Sequence, residues 1–184
     1  MSGHVDQTKI QHERAVGDRF IRTYNEIEGT GYVFSAHADD GEAPDLVYLD
    51  RGRPLWVEVT SAYYDGDDAR VQWGNARGDE DAPKEWSNHD GAVLKNPDPE
   101  GQLIRNLNAK LADKCSKRYR QPCLLVIYVS PGITTGKEFD ELAKGIVVPK
   151  KHAFEGIYVA GDFGTAGAPD SPEGYWVWRL DREK

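Results

Sequence analysis

The chain is poor in cysteine. Its 184 residues hold two, Cys115 and Cys123, too few for a disulfide framework or a cysteine-built zinc site. Two buried thiols in a reducing cytosol are expected instead. Long apolar runs are also missing: none approaches the ~20 residues that a membrane helix needs. Residues 1–9 contain no apolar signal region, so a cytoplasmic protein without a membrane partner is expected. Basic charge is in deficit, with 23 Lys and Arg against 31 Asp and Glu and a net charge of −8, which argues against a broad basic surface that tracks nucleic acid. There is no internal repeat and no low-complexity tract. Familiar local motifs fail on inspection. Asp65-Gly66-Asp67-Asp68 opens like a calcium loop, but Ala76 stands where the closing glutamate belongs. Gly29-Thr30-Gly31-Tyr32 is followed by a strand pattern rather than by the helix a nucleotide loop requires. Asp162-Phe163-Gly164 matches a kinase triplet without its companions, His89 lacks a metal partner at ligand spacing, and no Ser or Cys nucleophile arrangement stands out.

What is present is the composition of one globular domain, with 39% hydrophobic and 29% charged residues, long enough to bury a core. From about Val5 to Glu28 the pattern is helical. Val16, Phe20, Tyr24 and Ile27 form an apolar stripe, and Glu13 extends it one turn toward the N-terminus. Gly29 to Gly31 stops this helix, and a first strand begins near Tyr32. Asp39 to Glu42 reads as a turn, Leu46 to Leu49 as a second strand, Arg51 to Pro54 as a turn and Leu55 to Ser61 as a third strand. Residues 64–100, rich in Asp, Gly, Asn and Pro around Trp73 and Trp86, read as one long loop excursion within the single domain. A second helix is expected from Gln102 to about Tyr119, with Leu103, Ile104, Leu107, Leu111 and Cys115 on one face. Gln102, Asn106, Lys110 and Lys114 step by four along its border. The nearly continuous apolar run from Pro122 to Val129 has the character of a central strand covered on both sides. A short helix over Glu138–Lys144 and strands near Ile146–Val148, Ile157–Ala160 and Tyr175–Leu180 complete an α/β domain with a mixed sheet flanked by helices.

Two carboxylates mark the chemistry. Asp45 opens one apolar run and Glu58 lies inside another, thirteen residues later. An unpaired buried carboxylate is costly or shifts its pKa, so Glu58 needs compensation, and a cation shared with Asp45 would supply it. Strand periodicity places Trp56, Glu58 and Thr60 on one face and Leu55, Val57 and Val59 on the other. Plainer readings exist for each residue alone. Asp45 after Pro44 suits a turn, Glu58 suits the wet face of a half-exposed sheet, and Lys110 and Glu13 suit a solvated surface. The basic cluster from Lys110 to Arg120 suits a solvated helix face.

Taken together, Pro44-Asp45, Glu58-Val59-Thr60, the Glu13 helix, Gly31-Tyr32 and Trp56-Val57-Glu58-Val59 resemble the PD-(D/E)XK nuclease superfamily. The restriction-endonuclease-like core of that superfamily has the order helix, three strands, helix, strand. The opening is similar to that of archaeal Holliday junction resolvases, and the resemblance covers roughly residues 10 to 130. It implies a metal-dependent nuclease that hydrolyses phosphodiester bonds, most readily in DNA, with Mg²⁺ or Mn²⁺ held by Asp45, Glu58 and the Val59 carbonyl. Glu13 would be an accessory acid. The negative net charge does not exclude this, because metal-dependent sites are themselves acidic. The chain departs from the pattern at Thr60, where the family usually has lysine. A hydroxyl can hydrogen-bond a metal-bound water but carries no positive charge. Some branches displace the lysine onto the following helix, where Lys110 is the first choice and Lys114 the second. Trp73 and Trp86 are candidates for stacking on unpaired bases, with capping of the sheet edge as their plainer role. An acidic monomer has little charge to track a duplex, so a homodimer or a small, localised footprint is expected. The alternatives are a catalytically inactive binding or interaction module of the same fold, and an unrelated α/β protein whose two carboxylates point to different faces of the sheet.

Overall fold

A computed structural model describes residues 7–38, 43–62, 98–129, 136–162 and 175–181. Most of the 64–100 excursion, with Trp73 and Trp86, and the turn at Asp39–Glu42 lie outside the described residues. In chain order the elements are α1 (Gln7–Glu28), β1 (Val33–His37), β2 (Leu46–Asp50), β3 (Arg53–Ala62), α2 (Pro99–Ser116), β4 (Cys123–Val129), α3 (Gly136–Leu142), β5 (Phe154–Asp162) and β6 (Tyr175–Arg179). A single 3₁₀ turn, Ala143–Gly145, follows α3. The six strands form one mixed sheet in sequence order. β3, β4 and β5 run parallel, and the outer pairings are antiparallel. The architecture is the expected α/β one.

Each face of the sheet has its own core. Val16, Phe20 and Ile21 of α1 pack on Leu46, Tyr48, Leu55, Val57, Val59 and Val126. On the opposite face Leu103, Leu107 and Leu111 of α2 and Phe139 of α3 cover Leu125, Ile127, Ile157 and Val159. Each fully buried leucine contributes about 1.5–3 kcal/mol of transfer free energy. β4 is buried along its whole length, which accounts for its unbroken apolar sequence. Among the described residues no helix is long and apolar enough to cross a membrane. Both cysteines are free and buried.

Several boundaries move for identifiable reasons. The helix expected from Gln102 begins at Pro99, because Asp98 caps it by accepting from the Gly101 N–H at 3.0 Å and proline suits the first helical position. The turn between β2 and β3 needs only Arg51 and Gly52, both at positive φ, the signature of a type I′ hairpin. Pro54 lies within β3, opposite Leu49. On α1 the apolar stripe runs through Ile21 rather than Ile27, which is 57% exposed in the last turn. The strand expected near Ile146–Val148 does not form. Asn108 of α2 donates to the Gly145 carbonyl and accepts from the Val147 N–H, so a helix side chain satisfies backbone groups that a neighbouring strand would otherwise take.

Gly17 sets how closely α1 lies on the sheet. A Cβ there would overlap Leu46 and the Tyr48 hydroxyl, both fully buried. The close approach brings the preceding turn of α1, with Glu13, down to the mouth of β2. Gly17→Val is expected to cost about 2 kcal/mol by overpacking, read as a lower urea midpoint with an unchanged denaturant slope.

Candidate metal centre

The site forms where β2 stops and β3 continues. The β2–β3 register runs from Asp50 opposite Arg53 to Leu46 opposite Val57. One step further Asp45 comes opposite Glu58, and the ladder then meets Pro44. Beyond it β3 still pairs with β4 through Ala62, but β2 no longer covers its other edge. The Asp45 carboxylate takes over there, accepting from the Val59 N–H at 2.8 Å. In extended backbone the N–H and C=O of one residue point the same way, so the Val59 carbonyl faces the same gap.

Leu46 and Val57 point toward α1, which puts Asp45 and Glu58, their chain neighbours, on the face covered by α2. The two carboxylates therefore share one side of the sheet, contrary to the accidental-pair reading. Glu58 is only 5% exposed, which also removes the reading of a solvent-facing strand residue. Its partner is Lys114, whose Nζ lies 2.5 Å from Oε1. Lys110, the first choice on sequence, is one helical turn away and exposed. It lines a cavity of about 210 Å³ with Lys9, His12, Glu13, Val59, Thr60, Ser61 and Lys114. One turn of α2 spans about 5.4 Å and two residues of β3 about 6.6 Å. With Lys114 on Glu58, Lys110 falls beside Thr60.

The other expected residues converge on the same place. Glu13 is buried on α1, its oxygens taken by Lys9 at 3.1 Å and by His37 Nε2 at 3.0 Å. Its charge reaches Asp45, whose carboxyl is pushed up to about 7 by burial first, then by Glu58 and Glu13. The Val59 N–H and Lys114 oppose the rise. Glu13 and Glu58 each have a basic partner, whereas the hydrogen bond that Asp45 accepts comes from the neutral Val59 N–H. The donors offered to a metal are carboxylate and carbonyl oxygens, the set a hard divalent ion takes. Among the described residues no three His, Cys, Asp or Glu side chains stand close enough to cage an ion. Asp45 and Glu58 make a pair, with Glu13 held back by its own partners.

Four residues belong to the site without having been singled out on sequence. Lys9 is one turn before Glu13, an i,i+4 pairing open to recognition. His12 bonds Ser61 Oγ at 3.0 Å, and burial lowers its pKa. His37 orients Glu13. Tyr119 lies behind Glu58, its hydroxyl buried without a hydrogen bond of strict geometry and its pKa raised by burial and then by Glu58. A larger cavity of about 570 Å³ lies between the end of α1, the 3₁₀ turn and β6. None of the three acids lines it, so size does not identify the site.

Asp45 makes stability depend on pH in a definite direction. Its folded pKa of about 7 exceeds the unfolded value of 3.8, so the folded state binds the proton more tightly. Stability is then lost as pH rises from about 4 to 7. Asp45→Asn, which can still accept from Val59, removes that loss. In EDTA the variant is expected to match wild type near pH 4 and to exceed it by up to about 4 kcal/mol at pH 8, measured by urea unfolding across the range. An equal pH slope in both proteins contradicts the placement.

No family model, no curated protein and no solved structure matches the chain.

Proposed function

We propose that the protein is a metal-dependent phosphodiesterase of the restriction-endonuclease-like kind, acting on nucleic acid. The observation that carries this reading is the convergence of Asp45 and Glu58 at the open edge of β3, beside a cavity whose rim holds Lys9, Lys110 and Lys114. An acidic pair next to three ammonium groups suits a substrate that is itself an anion, with a cation between them. The order α1, β1–β3, α2, β4 agrees with the resemblance read from the sequence, and that resemblance directs the choice of substrate to DNA.

Asp45 and Glu58 would hold Mg²⁺ or Mn²⁺, with the Val59 carbonyl as a third oxygen. The ion would polarise the scissile phosphate and lower the pKa of an attacking water. The chain's own groups have separable tasks. Lys110, exposed at the rim, attracts and seats the phosphate, and Lys9 adds its charge from its pairing with Glu13. Thr60 offers a hydroxyl to a water at the cavity floor. Lys114, on the helix bordering Glu58, supplies the positive charge absent from position 60. Glu13, fixed by Lys9 and His37, tightens the negative field that recruits a cation. The acidic surface outside this cavity suits a localised footprint or a dimer.

A second reading has one observation in its favour. Lys114 already neutralises Glu58, as it would in a purely structural ion pair of a catalytically inactive binding module.

Cleavage assays on linear, single-stranded and branched DNA with Mg²⁺, Mn²⁺ or EDTA separate the two. Glu58→Gln and Asp45→Asn are each expected to lower cleavage at least 100-fold, equivalent to about 2.7 kcal/mol of transition-state stabilisation. EDTA should abolish wild-type activity. Cleavage that persists in EDTA, or at equal rates in wild type and Glu58→Gln, contradicts the assignment.

A further inference from the structure

We propose that Lys114 is an internal counter-cation for the metal centre: a divalent ion binds by displacing its ammonium from Glu58, and the freed side chain swings into the cavity lined by Lys9 and Lys110. The inference rests on the metal-dependent reading above. Lys114 touches both halves of the site, the Asp45–Glu58 pair and the cavity. Its Nζ contacts Glu58 at 2.5 Å, yet its side chain also lines the cavity with Lys9, His12, Glu13, Thr60, Ser61 and Lys110, where the Glu13 carboxylate offsets the neighbouring ammonium groups. Val59 also lines the cavity but is fixed in the backbone of β3, whereas Lys114 has four methylenes through which to move.

Charge and access favour exchange. Glu58 and Lys114 are 6% and 15% exposed at their side chains, so an unpaired Glu58 would be strongly disfavoured. Lys114 brings one positive charge to two carboxylates, and a divalent ion in its place matches both. Each existing contact uses one carboxylate oxygen, Oε1 of Glu58 and Oδ2 of Asp45. Lys114 sits on the exchange path because it is two-faced, whereas Lys9 is committed to Glu13 and Lys110 is a full helical turn from Glu58. The released ammonium would arrive where an anionic substrate lies, coupling ion binding to the charge that receives a phosphate.

Mn²⁺ titration of the full-length chain, followed by the electron paramagnetic resonance of free Mn²⁺, tests this. Lys114→Met keeps the apolar stem and removes the competitor, so it is expected to bind Mn²⁺ at least five-fold more tightly than wild type. Lys114→Arg should stay within two-fold. Lys110→Met separates displacement from long-range charge and should gain less than two-fold. Equal gains for Lys110→Met and Lys114→Met, or no gain for Lys114→Met, overturn the proposal while leaving the metal site intact. Failure of wild type and both methionine variants to bind Mn²⁺ removes the metal reading itself, and the proposal with it. A readout on wild type covers the case in which Lys114→Met does not fold without metal. Acetylation of Lys114 by a soluble active ester, scored by mass spectrometry against Lys9, should be slow in EDTA and several-fold faster with Mg²⁺. An unchanged ratio overturns the displacement.

Discussion

The site depends on one buried ion pair. Glu58 sits in the middle of β3, flanked in sequence by Val57 and Val59, under a helix whose inward face is leucine. A carboxylate there is tolerable only with a partner that is itself sheltered and well aligned. Lys114 meets that need because α2 returns across the sheet between β3 and β4, with its polar border stepping by four residues over Glu58. Apolar residues of similar volume could satisfy the same packing, so the pair is weak evidence of a gain in stability. The surrounding residues feel the same charge: Asp45, Tyr119 and Cys123 hold their protons more tightly because of burial first and then Glu58, and Glu13 takes two basic partners.

A second constraint comes from unequal strand lengths. β3 has ten residues and β2 five, so half of one β3 edge has no strand beside it. An uncovered edge leaves backbone N–H and C=O groups to be satisfied by something else. Pro44 ends the ladder, the Asp45 carboxylate takes the Val59 N–H, and the His12–Ser61 contact stands further along the strand. The same opening that would weaken an ordinary sheet makes room for a cavity of about 210 Å³. Gly17 completes the arrangement by letting α1 lie low enough for Glu13 to approach the opening.

Much of the fold was legible because its signals are local. The stripe of α1, the unbroken apolar run of β4, the leucine face of α2 and the alternation in β3 each follow from periodicity within one element. Asp45 and Glu58 stood out because a charge in an apolar run is anomalous wherever it folds. The misses were contacts between elements. Ile146–Val148 has strand-like composition, but Asn108 takes its backbone groups from another helix. Ile27 continues the spacing of α1 but lies in its exposed last turn. His37 carries no sequence signal at all, because its relation to Glu13 exists only once β1 lies beside α1.

The sequence by itself determined which side chains are costly to bury and which faces the helices and strands present, because those depend on residue type and on the 3.6- and 2-residue periods. It therefore pointed to the α/β class and marked Asp45 and Glu58 as costly to bury, whereas Lys110 and Lys114 were candidates only by the family resemblance. The choice between those lysines was left to the tertiary structure. Lys110 and Lys114 share a helix border and differ by one turn, so only the height at which α2 crosses β3 decides which ammonium reaches Glu58. That height is set by packing of Leu103, Leu107 and Leu111 against β4 and β5, a long-range fit that no local pattern encodes.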